Sequence, residues 1–83
     1  MTIKLHPHAQ ARISERGATE EEVIATVRCG ERFTVKFGRS GFRRNFPYND
    51  LWRGKHYVNK QIEAIAVQES EDWLVITVIV KFY

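Results

Sequence analysis

The 83-residue sequence predicts an α+β fold, with two N-terminal helices packed on one face of a four-stranded antiparallel sheet in the order α-α-β-β-β-β. Three observations lead there. Residues 7–29 carry apolar side chains at helical spacing between recognisable caps. From Arg32 the apolar period changes to two. The later strands are joined by short polar turns, which suit an antiparallel meander.

The first helix is expected from Pro7 to Arg16. Proline suits a first helical turn, because its missing N–H would have no partner there. Ala9, Ile13 and Leu5 supply a thin apolar face, and Gly17 ends the helix in the left-handed conformation. Thr19-Glu-Glu-Glu22 reads as a capping box with three carboxylates at the positive end of a second helix. Val23, Ile24 and Val27 face the core, Cys29 sits in the last turn, and Gly30 stops the helix.

Phe33, Val35 and Phe37 alternate with polar residues and read as a half-buried strand. Gly38-Arg-Ser-Gly41 reads as a turn, and Phe42–Phe46 as the returning strand. Pro47-Tyr-Asn-Asp50 is expected to break that strand, and Leu51–Lys55 has no clear pattern. Residues 57–68 form a third strand, with Ile62, Ala64 and Ala66 on one face and Ile65 and Val67 on the other. Glu69–Asp72 is a polar turn. Trp73–Tyr83 is a β-branched run that reads as a central strand buried on both faces.

One domain is expected from 83 residues, of which 43% are hydrophobic and 28% charged. No apolar run approaches the roughly 20 residues of a membrane span, and no signal-peptide core is present, so a cytoplasmic location is expected. The single cysteine, Cys29, excludes an internal disulfide and a cysteine-based metal framework.

The net charge of +3 conceals an uneven distribution. Residues 28–60 hold nine basic side chains against two acidic ones, whereas residues 61–83 hold one basic and four acidic. The basic block interleaves with aromatics, a pattern suited to a polyanion such as RNA. Arg39, Arg43, Arg44, Arg53 and Lys60 are the candidate nucleic-acid contacts, on the sheet face that the helices leave open. A solvated hairpin face explains the same residues without a ligand.

His8, Arg12 and Arg16 stand four residues apart and share one helical stripe. An imidazole and two guanidiniums side by side repel one another unless something anionic meets them. The set His8, Arg12, Arg16-Gly17, Glu20-Glu-Glu-Val23, Gly30 and Val75-Ile-Thr-Val78 resembles the bacterial domain-of-unknown-function family 4258. That family is similar in layout to small ribonuclease toxins of the RelE and BrnT kind, a likeness of fold alone. The resemblance implies an RNA-directed protein, with a cognate acidic or amphipathic antitoxin covering its basic face.

Metal-independent RNA cleavage needs a base, an acid and cations for the charged phosphorane. His8 or His56 suits proton transfer and Arg12 and Arg16 suit a phosphate clamp. Lys55, Lys81 and Tyr83 offer further donors, and Thr77 a hydrogen-bond partner. Plainer roles exist for each. His8 suits a local cap, Arg16 the helix C-terminus, and Arg12 a pair with Glu15 or Glu20. Thr77 suits a packed strand, and Lys55-His56 a solvated turn. No cofactor is called for. His6 and His8 are wrongly spaced for two metal ligands on one helix face, and no glycine-rich phosphate loop is present.

Overall fold

The computed structural model describes residues 1–83 as β1 (Ile3–Leu5), α1 (Pro7–Glu15), α2 (Glu20–Cys29), β2 (Glu31–Thr34), β3 (Ser40–Trp52), β4 (Lys55–Glu69) and β5 (Asp72–Phe82). The fold is α+β, with one sheet in the order β1-β5-β4-β3-β2. The sheet has five strands rather than four and is mixed rather than wholly antiparallel, because β1 pairs in parallel with the start of β5. Three residues are too few to display a strand period, which is why Leu5 reads from sequence as part of the helix.

Local chemistry fixes both helices. The His6 imidazole is the N-cap of α1 and accepts the His8 N–H at 3.0 Å, ahead of Pro7. At the other end Gly17 adopts φ +79°. The Ala18 N–H donates to the Ile13 carbonyl at 3.0 Å and the Gly17 N–H to Ser14 at 3.2 Å, the paired bonds of a Schellman ending. The capping box of α2 closes in both directions. The Glu22 N–H donates to Thr19 Oγ1 at 3.2 Å, and the Thr19 N–H to Glu22 Oε1 at 2.9 Å.

The helices cover one face of the sheet, α1 over β5 and α2 over β3 and β4. Ala9, Ile13, Val23 and Val27 meet Phe42, Ile62, Ala64, Ala66, Trp73, Val75 and Val78 in one core. Ala64 and Ala66 are wholly buried, and their small side chains let α2 approach the central strand. Thr26 is buried too, its hydroxyl satisfied by the Glu22 carbonyl at 2.8 Å.

Three strand expectations need correction. The strand from Arg32 stops at Thr34, and Phe37 stands in a turn at φ 64° with 88% of its surface exposed. Pro47 does not end β3, which runs on to Trp52 with a register shift between Pro47 and Asp50. β2 pairs only with residues 40–43, so β3 beyond that point is an edge, where the missing N–H of a proline is tolerated. β5 is not the central strand. β4 is, and β5 buries Trp73, Val75 and Val78 towards the helices while Ile79 on the other face is 38% exposed.

Gly17 is where this architecture is least forgiving. A Cβ there would lie 2.8 Å from the Trp52 ring and 2.9 Å from the Phe82 ring, at a backbone conformation unfavourable to L-residues. Gly17→Ala is expected to lower unfolding free energy by about 2 kcal/mol or more, combining left-handed strain with the ring clash. Urea denaturation checks this; a change within about 0.5 kcal/mol, the range of an ordinary surface substitution, would contradict the packing described.

Candidate functional site

The long β3–β4 hairpin closes at Arg53-Gly54, both with positive φ (52° and 83°), the pattern of a type I′ turn. Trp52-Arg-Gly-Lys55 held the turn signal that sequence reasoning missed, because arginine is not among the residues favoured at its first central position. The hairpin brings two cations to the C-terminal end of α1. Arg53 Nη2 donates to the Glu15 carbonyl at 3.4 Å, and Lys60 Nζ to the Gly17 carbonyl at 3.0 Å. Both complement the negative end of the helix dipole.

Lys60 is only 5% exposed, and its ammonium also meets Glu22 Oε1 at 2.8 Å. Expected on a nucleic-acid face, Lys60 is instead an internal tie between hairpin and helices. Its position opposite Phe82, in register with core residues Ile62 and Ala64, turns it inward. Around it stands an aromatic cluster. Trp52 stacks on Phe82 with centroids 5.0 Å apart, and Tyr48 and Tyr57 approach the same ring at 5.1 and 5.6 Å.

A cleft of 270 Å³ opens beside this cluster, lined by Arg16, Trp52, Arg53, Ile79, Val80 and Phe82. That is slightly below the usual span of small-ligand pockets, roughly 300–1,000 Å³, and suits one side chain or one base. Arg16 Nη1 donates to the Val78 carbonyl at 2.5 Å. Arg16 and Arg53 thus each spend one donor on a backbone carbonyl and keep others for a ligand.

The remaining candidates do not converge on the cleft. His8 is exposed on α1, and Arg12 pairs with Glu15 at 3.7 Å, one of the two partners its sequence position suggested. Lys55 and His56 are exposed at the hairpin tip. The Tyr83 hydroxyl donates to Asn45 Oδ1 at 2.9 Å, beside Gln61 on the sheet face opposite the helices. Thr77 is half-buried opposite Ile65. None of the three histidines lines the cleft.

The basic side chains also divide between faces. Arg43 lies on the face opposite the helices, 4.5 Å above the Phe33 ring and bonded to Glu63 Oε1 at 3.3 Å. Lys81 meets the same oxygen at 3.4 Å, and Glu31 stands 3.8 Å from Arg43. Gly41 permits this layer, since a Cβ there would sit 2.3 Å from the Phe33 ring. Arg44 projects to the other face, 5.1 Å from the Phe46 ring, and Arg39 is exposed in the β2–β3 turn. Arg53 lies 5.2 Å from Trp52 and Lys55 5.4 Å from Tyr57. The aromatics interleaved with the charge therefore carry their own cations on their faces.

Glu63 is the carboxylate that neutralises the open face, and it is buried. Glu63→Gln keeps the volume and removes the charge beneath Arg43 and Lys81. A loss of about 1–2 kcal/mol in unfolding free energy is expected, the scale of a charge-assisted hydrogen bond. Chemical denaturation measures it; unchanged stability would mean that the three groups are screened by solvent and do not act as a unit.

No family model, curated protein or solved structure matches this chain.

Proposed function

We propose that this chain is a small RNA-directed protein that grips single-stranded RNA along the β3–β4 hairpin, from its tip back towards the β2–β3 turn. The observation that carries this reading is a run of cations without carboxylate partners, each laid against an aromatic ring: Arg44 on Phe46, Arg53 on Trp52 and Lys55 on Tyr57. None of the three is in an ion pair, whereas Arg43 and Lys60 are. Exposed Arg39 extends the run. A guanidinium held flat on a ring keeps its edge donors for phosphate and its outer face for a base.

Cleavage is the second reading. It is favoured by the one-sided stripe His8, Arg12, Arg16, whose last member reaches the cleft. A substrate strand lying from the hairpin tip across the cleft to α1 would meet Arg53, Arg16 and then Arg12, with His8 as the proton-transfer group. A non-catalytic module needs only the hairpin cations.

Anisotropy titrations of a labelled single-stranded RNA against salt test the proposal. Arg44→Gln with Lys55→Gln is expected to reduce the logarithmic salt slope by about 0.7 for each phosphate no longer neutralised, with folding retained. An unchanged slope would refute the hairpin site. Incubation of end-labelled RNA in EDTA separates the two readings. Discrete products from the wild type that vanish in His8→Ala mark a ribonuclease, and intact RNA with binding preserved marks a binding module.

A further inference from the structure

β5 has an incomplete edge. β1 pairs only with Trp73, Leu74 and Val75, and nothing pairs with β5 on that side beyond them. Which groups this leaves free follows from the ladder with β4. Asn59 and Tyr83 exchange both backbone bonds, at 2.7 and 3.0 Å. Bonded pairs alternate along an antiparallel ladder, so Gln61–Lys81 and Glu63–Ile79 are also bonded pairs. Val78, Val80 and Phe82 therefore turn their N–H and C=O groups away from β4, to the unpaired side. The Val78 carbonyl agrees with this direction, because Arg16 reaches it from there. The cleft opens on the next stretch, with Ile79, Val80 and Phe82 in its wall.

We infer that this edge accepts an extended acidic peptide, which adds as a sixth strand beside Val80–Phe82, past the Val78 carbonyl that Arg16 occupies, and places a carboxylate between Arg16 and Arg53. An edge strand offers alternating main-chain donors and acceptors, which a peptide matches and a nucleic acid does not. The flanking guanidiniums choose the side chain, since both retain unused donors in a bidentate geometry. They also exclude a second copy of this chain. Pairing two β5 edges would bring two Arg16–Arg53 pairs together with no carboxylate between them. The inference shares Arg53 with the RNA reading, but the two fail separately: the RNA reading is tested at Arg44 and Lys55, and the peptide at the free amides of β5.

The test is amide hydrogen exchange on the full chain, with an acetylated peptide of about six residues alternating valine and glutamate. The peptide is expected to slow exchange at the Val80 and Phe82 amides by roughly tenfold or more, as local opening becomes coupled to release. The same peptide with lysine in place of glutamate is expected to have little effect. Val80→Pro removes an outward N–H and no bond to β4, so it should keep that ladder and lose the peptide; Val80→Ala, which trims the same core-packed side chain but keeps the N–H, should retain both. Unaltered exchange in the wild type overturns the proposal regardless of how the variants fold. So does equal protection by the lysine peptide, protection that rises with protein concentration alone, or protection by single-stranded RNA and not by peptide.

Discussion

One buried ammonium holds the hairpin to the helix layer. Lys60 emerges from the central strand among Ile62, Ala64 and Ala66 and ends between the Gly17 carbonyl and Glu22 Oε1. A charge taken from water to that depth is sustained only by a full set of partners. Those partners exist because two local motifs converge. The Schellman ending of α1 presents the Gly17 carbonyl, and the capping box of α2 fixes Glu22 in one rotamer by its bond to the Thr19 N–H. The lysine thus reads the junction between the helices, and any shift of the hairpin along them would leave a buried charge unpaired.

The surface features follow from that junction. With Lys60 seated, Tyr48 and Trp52 close around Phe82, and Arg53 swings over the end of α1. The cleft is the space left between this turn, Arg16 and the free edge of β5. Along the hairpin Arg44, Arg53 and Lys55 rest on aromatic rings. An arginine held on a ring has already lost much of its side-chain entropy, so a phosphate that binds it need not order it again. The proposed RNA contacts and the proposed peptide edge share Arg53, so a bound acidic peptide would compete with RNA there.

Much of the fold is legible in the sequence because it is written locally. Gly17, Thr19 and Glu22 announce their helix ends within a few residues, and the structure bears out all three. The missed elements depend on distant partners. Ile3–Leu5 becomes a strand only because β5 offers an edge, and Pro47 is tolerated only because β2 is too short to cover it. The site is legible in composition and not in geometry. The cationic block announces itself, but whether a given lysine points outward depends on register. Lys60 and Lys55 are indistinguishable by type and differ only in which strand neighbours surround them. The His8–Arg12–Arg16 spacing identifies one helical stripe, and nothing in the spacing could say that Arg16 alone would reach the cleft.

The most direct test of the Lys60 tie is a double-mutant cycle on Lys60→Met and Glu22→Gln, followed by urea denaturation. Methionine keeps the apolar stem, and glutamine keeps the capping-box acceptor, so the cycle isolates the ion pair. A coupling of about 1–3 kcal/mol is expected, the range for residues sharing one buried network. Additivity within about 0.3 kcal/mol would show that the two groups do not sense each other, and would contradict the ion pair as the tie between hairpin and helices.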